Sequence, residues 1–105
     1  MSEKYIARSH MVAARLLGGE MIIMSATDST LFSLSDVATV IWQSADGLTP
    51  LSSIVRDKVC AEFDVQPDTA YRDAEAFAAK LASHGILRVS DHPIVEDDVI
   101  ALVHP

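Results

Sequence analysis

With 105 residues, half of them apolar and 22% charged, the chain has the length and composition of one globular domain, and no apolar run reaches the ~20 residues of a membrane-spanning helix. A formal net charge of −7, from 8 Lys and Arg against 15 Asp and Glu, disfavours nucleic acid, whose phosphates are bound through Lys and Arg. Cys60 is the only cysteine, which excludes an internal disulfide and reads as a core or boundary thiol beside Val59 and Phe63.

Residues Met1 to His10 carry Lys4 and Arg8 ahead of only a short apolar stretch, without a cleavage-like run of small residues, so no secretory signal is expected and the address implied is cytoplasmic. From Val12 to Leu34, short apolar runs alternate with turn residues: VAARLL, Gly18-Gly19, MIIM, Thr27-Asp28-Ser29, TLFSL. Two tight turns between β-prone runs predict a three-stranded antiparallel meander.

Ser35 offers a helix N-cap, with Asp36 in the first turn where a carboxylate suits the helix dipole. Val37, Val40 and Ile41 recur at helical spacing beside Trp42, and Asp46-Gly47 supplies a stop, so the first helix is expected from about Asp36 to Ser44. Thr49-Pro50 reads as the next start, with Thr49 as N-cap and Pro50 at the first helical position. Leu51, Ile54, Val55, Val59 and Phe63 form its buried stripe. Pro67 opens a third helix in which Ala70, Ala74, Phe77, Ala78 and Leu81 share a face, and Gly85 ends it. Ile86 to Val89 is a short strand or a hydrophobic latch.

The order of elements is that of an α+β domain over residues 1–90, winged-helix-like, with a three-stranded antiparallel β-meander followed by three α-helices. Residues 91–105 form an acidic C-terminal tail that ends in the apolar run Val99 to Val103. Three fates are open to this tail: disorder, packing along the sheet, or exchange between subunits of a homodimer.

Chemistry-bearing motifs are scarce. His10, His84, His92 and His104 are scattered, with no i, i+4 pair to build a metal face. The cluster Glu96-Asp97-Asp98 lacks the alternating ligands and central glycine of a calcium loop. Gly18-Gly19 has neither phosphate-binding spacing, and no serine lies in a GxSxG elbow. No catalytic residue, metal or cofactor is therefore expected. A winged-helix outline does raise a DNA-binding regulator as the alternative. Against it, Arg72 and Lys80 on the third helix are offset by Asp68, Asp73 and Glu75, which is no basic stripe.

An ordered set of elements runs from Phe32 to Leu87: a strand ending in Leu34, the helix with Ile41-Trp42, Asp46-Gly47, Thr49-Pro50 with Ile54-Val55, Phe63-Asp64-Val65, and the closing Phe77, Leu81 and Gly85-Ile86-Leu87. This segment resembles the PqqD family of pyrroloquinoline quinone biosynthesis and the related precursor-peptide recognition elements. The resemblance implies a non-catalytic chaperone that binds the leader of a ribosomally made precursor peptide and presents it to a modifying enzyme, such as a radical SAM protein. It also implies strand addition, with the leader on the edge of the third predicted strand and its side chains in the cleft beside the third helix.

On that strand, alternation sets Phe32 and Leu34 on one face and Leu31 and Ser33 on the other. Thr30, Leu31 and Ser33 are then the expected contacts nearest the guest, with Phe32 in the core. Across the cleft, Ala76 and Ala79 leave room for a peptide, Arg72 and Lys80 are placed for leader carboxylates, and Tyr71 walls the pocket. Phe77 reads as a wall or, more simply, as core. Neither the precursor nor the pathway is written in the residues.

Overall fold

Gly18 and Gly19 adopt positive φ, 59° and 85°, a backbone that glycine takes without strain, and so close the tight turn between β2 (Val12–Leu17) and β3 (Glu20–Ser25). The computed structural model describes residues 3–10, 12–25 and 28–95. β3 turns back into β4 (Leu31–Leu34), pairing Met21 with Leu34, Ile22 with Ser33, Ile23 with Phe32 and Met24 with Leu31. This is the expected meander. Its inner face buries Met21, Ile23 and Leu34 and half-buries Phe32, while Met24 and Leu31 stand exposed on the outer face.

Helix α1 (Asp36–Gln43) begins as its sequence dictates, with the Ser35 hydroxyl accepting the Ala38 N–H at 3.2 Å. At its other end the Arg8 guanidinium donates to the carbonyls of Trp42 and Gln43, at 3.1 and 2.8 Å. A cation there complements the negative end of the helix dipole. Trp42 is 4% exposed, so it belongs to the core.

Arg8 ends β1 (Tyr5–Arg8), the centre of a second sheet that the sequence did not announce. β5 (Asp46–Pro50) and β6 (Leu87–Ser90) flank it, both antiparallel, in the order β5-β1-β6. Asp46-Gly47, read as a helix stop, instead opens β5. The Asp46 carboxylate accepts the N–H groups of Leu48 and Thr49, each at 2.9 Å, and the Thr49 hydroxyl at 3.1 Å. Thr49 is therefore strand rather than helix cap. Pro50, with φ −58° and ψ 144°, is the N-cap residue, so the helix begins one residue later than expected.

Helix α2 (51–62) consists of Leu51–Ile54, a wider π turn Val55–Val59, and Cys60–Glu62. The Cys60 N–H reaches the carbonyl of Val55, five residues back instead of four. Leu51, Ile54, Val55 and Val59 are nevertheless buried and Phe63 is half-buried, so the expected stripe survives the extra residue. Cys60 is half-buried.

Helix α3 (Pro67–Ser83) starts at its proline and buries Ala70, Ala74, Ala78 and Leu81. Its end is a Schellman motif: Ile86 N–H donates to Leu81 O at 2.9 Å and Gly85 N–H to Ala82 O at 3.0 Å, with Gly85 at φ 73°. Ile86 is thereby driven into the core beside Ile6, Ile23, Leu51, Ile54 and Leu81. The fold is α+β, the helices sharing one core with both sheets.

Beyond β6 the chain crosses to β5, where Ile94 N–H donates to Gly47 O at 2.8 Å and Lys4 meets Asp91 at 3.5 Å. Gly47 has φ 80°, and a Cβ there would stand 2.6 Å from the Ile94 carbonyl oxygen. The described start of the tail thus lies against β5, not against β4. The acidic cluster and the apolar run Val99 to Val103, on which the tail's three fates were framed, lie outside the described residues.

Candidate functional site

In the first sheet the order is β2-β3-β4, so among the described residues no strand covers the far edge of β4. Ser25 N–H donates to Thr30 O at 3.0 Å, which fixes the phase of the ladder. Hydrogen-bonded and non-bonded pairs alternate between antiparallel strands. Phe32 and Leu34 therefore turn their backbone groups toward β3, and Leu31 and Ser33 turn theirs toward the open edge. The Thr30 N–H is occupied by Asp28 Oδ1 at 3.1 Å. Leu31 is 63% exposed, and the Ser33 hydroxyl donates to Glu20 Oε2 at 2.6 Å on the outer face.

Across from β4 stands the C-terminal half of α3. The Phe32 ring meets the His84 ring edge-on, with centroids 5.0 Å apart and planes at 69°. Lys80 Nζ lies 5.9 Å from the Phe32 ring centroid, within cation–π range. His84 Nδ1 lies 2.8 Å from Asp28 Oδ2, and the buried Ser25 hydroxyl donates to the His84 carbonyl at 2.7 Å. These contacts clasp the turn before β4 to the end of α3. The His84 bond, followed by the N–H of Thr30, holds the Asp28 carboxyl well below the usual carboxylate range.

At the other end of β4 a cavity of about 320 Å³ opens beside Ser35. Val37, Ala38 and Ile41 of α1, Val59 of α2, and Ala70, Ala74 and Phe77 of α3 line it, with Asp73 at its margin. Small residues at 38, 70 and 74 leave the space that the larger apolar side chains enclose. Phe77 packs against the core, as its simpler reading expected, and also lines this cavity. The groove between β4 and α3 thus has the Lys80 ammonium at one end and, at the other, leads past Ser35 to an apolar cavity walled by the three helices.

Of the residues that the sequence nominated, the structure brings Leu31 and Ser33 to the open edge and Lys80 to the facing flank of α3. Arg72 and Ala76 are exposed on that helix. Tyr71 and Ala79 lie on the opposite flank, away from β4. Partial burial raises the Tyr71 pKa, and the carboxylates of Glu75 and Glu3 reinforce the shift. Ala79 lines a separate cavity with Lys4, Ile6, Leu51 and Val89, between α3 and the second sheet. Helical spacing tells which residues share a stripe, but not which flank a strand will occupy. His84, absent from the nominated set, is set in place by a partner 56 residues away, and only its position before the cap glycine Gly85 hinted at a helix end.

Among the described residues no three His, Cys, Asp or Glu side chains gather to hold a metal ion, and no helix is long and apolar enough to cross a membrane.

A search of curated proteins gives no match. Among solved structures, the one described as TbiB1 in complex with the TbiA(beta) leader peptide is similar, with a TM-score of 0.68 and 28% identity over 78% of this chain and 94% of that one. Lasso peptide synthetase B1 complexed with the leader peptide has the same fold, with a TM-score of 0.67 and 19% identity over 79% of this chain and 96% of that one. The family described as Coenzyme PQQ synthesis protein D (PqqD) matches residues 20–87, from the start of β3 to the first residue of β6. That match spans more than half of the chain and includes β4, the cavity and α3: the protein belongs to the PqqD family.

Proposed function

We propose that this protein is a peptide-recognition module that takes the leader of a ribosomally made precursor as an added strand on β4 and presents it to a modifying enzyme. One observation carries the reading: the open edge of β4, where Leu31 and Ser33 turn their backbone groups outward beside a groove walled by α3. Unpaired N–H and C=O groups on a strand edge are a template for a guest strand, and alternate guest side chains then reach the groove. The 28% identity to TbiB1, a protein described in complex with a leader peptide, supports the same reading. Catalysis would fall to the partner enzyme, since among the described residues of the groove no nucleophile sits beside an activating base.

The family resemblance points further to a radical SAM enzyme as that partner; the signal-free N-terminal sequence favours a cytoplasmic setting, and the tail, which is no part of the family pattern, is proposed as a route to a homodimer. Sedimentation of the chain with and without residues 91–105 tests the last of these. An unchanged mass would count against tail exchange.

Titrating the isotope-labelled protein with the leader of the precursor encoded beside it tests the central reading. The amides of Leu31 and Ser33 should shift together with those of Phe77, Lys80 and His84. Shifts confined to β5 and β6, or none at millimolar peptide, would overturn it.

A further inference from the structure

The two ends of the groove differ in charge as well as polarity, and we propose that the protein selects leader segments carrying a carboxylate side chain at the Lys80 end of β4 and a bulky apolar side chain at the Ser35 end. This rests on the strand-addition reading and adds a rule for which peptides are accepted.

At the first end, three charged or titratable side chains meet: Lys80, His84 and Asp28. His84 and Asp28 are engaged with each other at 2.8 Å. Among the described residues Lys80 makes no ion pair, and its ammonium lies toward the ring of Phe32. The aliphatic stem of a lysine lies on apolar surface while the ammonium remains available. A guest carboxylate beside Phe32, on the face turned to α3, would meet that ammonium over an aromatic platform, where fewer waters compete than on an open helix.

At the second end the charges have the opposite sign. Asp73 borders the cavity, and Asp36 lies in the first turn of α1. An acidic guest residue is repelled there, whereas an apolar one fills the space of about 320 Å³. On a protein of net charge −7, a carboxylate is unfavourable over most of the surface, so a single facing ammonium fixes its place. The strand from Leu31 to Leu34 advances about 10 Å. The two guest side chains are therefore separated by an even number of positions, about two or four, which keeps both on the side facing α3.

Short fluorescent peptides on an alternating Thr-Val frame test this, with one Leu or Phe and one Glu placed at every relative spacing and a Gln counterpart for each. Fluorescence anisotropy should show the Glu peptides of the right spacing binding about tenfold tighter than their Gln counterparts, and the difference should shrink with added salt. Lys80→Met should abolish the difference, and Lys80→Glu should reverse it in favour of peptides with Lys at that position. Because Lys80 is exposed, both variants should keep the wild-type circular dichroism. Equal binding of Glu and Gln peptides, or a preference that survives Lys80→Met, overturns the rule. If Leu31→Pro abolishes binding of every peptide while no acid preference exists, strand addition stands and only the rule falls. If no peptide of the set binds the wild-type protein, both fall.

Discussion

His84 Nδ1 and Asp28 Oδ2 lie 2.8 Å apart, joining the end of α3 to the turn that precedes β4 across 56 residues of chain. The same turn is tied to α3 by the Ser25 hydroxyl on the His84 carbonyl. The separation of strand and helix at the mouth of the groove is therefore set by side chains rather than by the length of a connecting loop.

Acid should loosen that clasp. The Asp28 carboxyl is held below its ordinary value of 3.8, first by His84 and then by the Thr30 N–H. A depressed pKa in the folded state stabilises the fold fully above the ordinary value and does so less and less as pH falls through the folded one. Thermal melts of wild type and Asp28→Asn should differ at pH 6 and converge in strong acid. A difference that grew on acidification would contradict this account.

Neighbouring residues of β4 should respond to proline in opposite ways. Leu31→Pro removes an N–H that points to the open edge, so it should abolish peptide binding and cost less than about 1 kcal/mol of stability. Phe32→Pro removes a bond to β3 and a ring that packs on the core, and should cost roughly 3 kcal/mol or more. Urea unfolding of the two variants, alongside a binding titration, separates the cases.

Filling the cavity should weaken binding without harming the fold. Ala38 lines the space beside Ser35, and Ala38→Leu adds apolar volume there while keeping a good helix former. Stability should rise by roughly 0.5–1 kcal/mol, and affinity for a leader peptide should fall about tenfold as the guest side chain loses its seat. Calorimetry on the same preparation reads both quantities.

Gly47 governs the segment after β6. Gly47→Ala would combine a positive φ with a Cβ 2.6 Å from the Ile94 carbonyl oxygen, so it should destabilise the domain by about 1–2 kcal/mol. It should also free residues 91–95 for limited proteolysis, while the amides of Leu31 and Ser33 remain unmoved.

The sequence carried those parts of the fold whose signals are local. Ser35, Pro67 and Gly85 each act within one helical turn, and they mark helix boundaries in the structure where their chemistry predicts. Gly18-Gly19 did the same for the hairpin. The second sheet was hidden because its strands, YIAR, DGLTP and LRVS, are short and join residues as far apart as Tyr5 and Ser90. No turn signal connects such partners. The π turn has no signature of its own, because apolar residues at 51, 54, 55 and 59 fit a regular α-helix equally well.

For the groove, alternation along β4 separated Leu31 and Ser33 from Phe32, but the phase of its hydrogen bonds follows from Ser25 and Thr30 in three dimensions. Tyr71 and Ala79 were nominated on a helix whose facing flank only the packed structure reveals. The role of His84 is not legible in sequence, because it comes from Asp28 and Phe32, neither of them near in the chain.

The hold of Arg8 on the carbonyls of Trp42 and Gln43 gives the molecule an optical gauge of its own. Trp42 is the only tryptophan in the chain, and its indole is almost wholly screened from water beneath the end of β1. Any event that lifts β1 from α1 should redden its emission, whereas a peptide seated on β4 should leave the colour unchanged. Unlabelled protein in a cuvette can thus tell release of the N-terminal strand from occupancy of the groove.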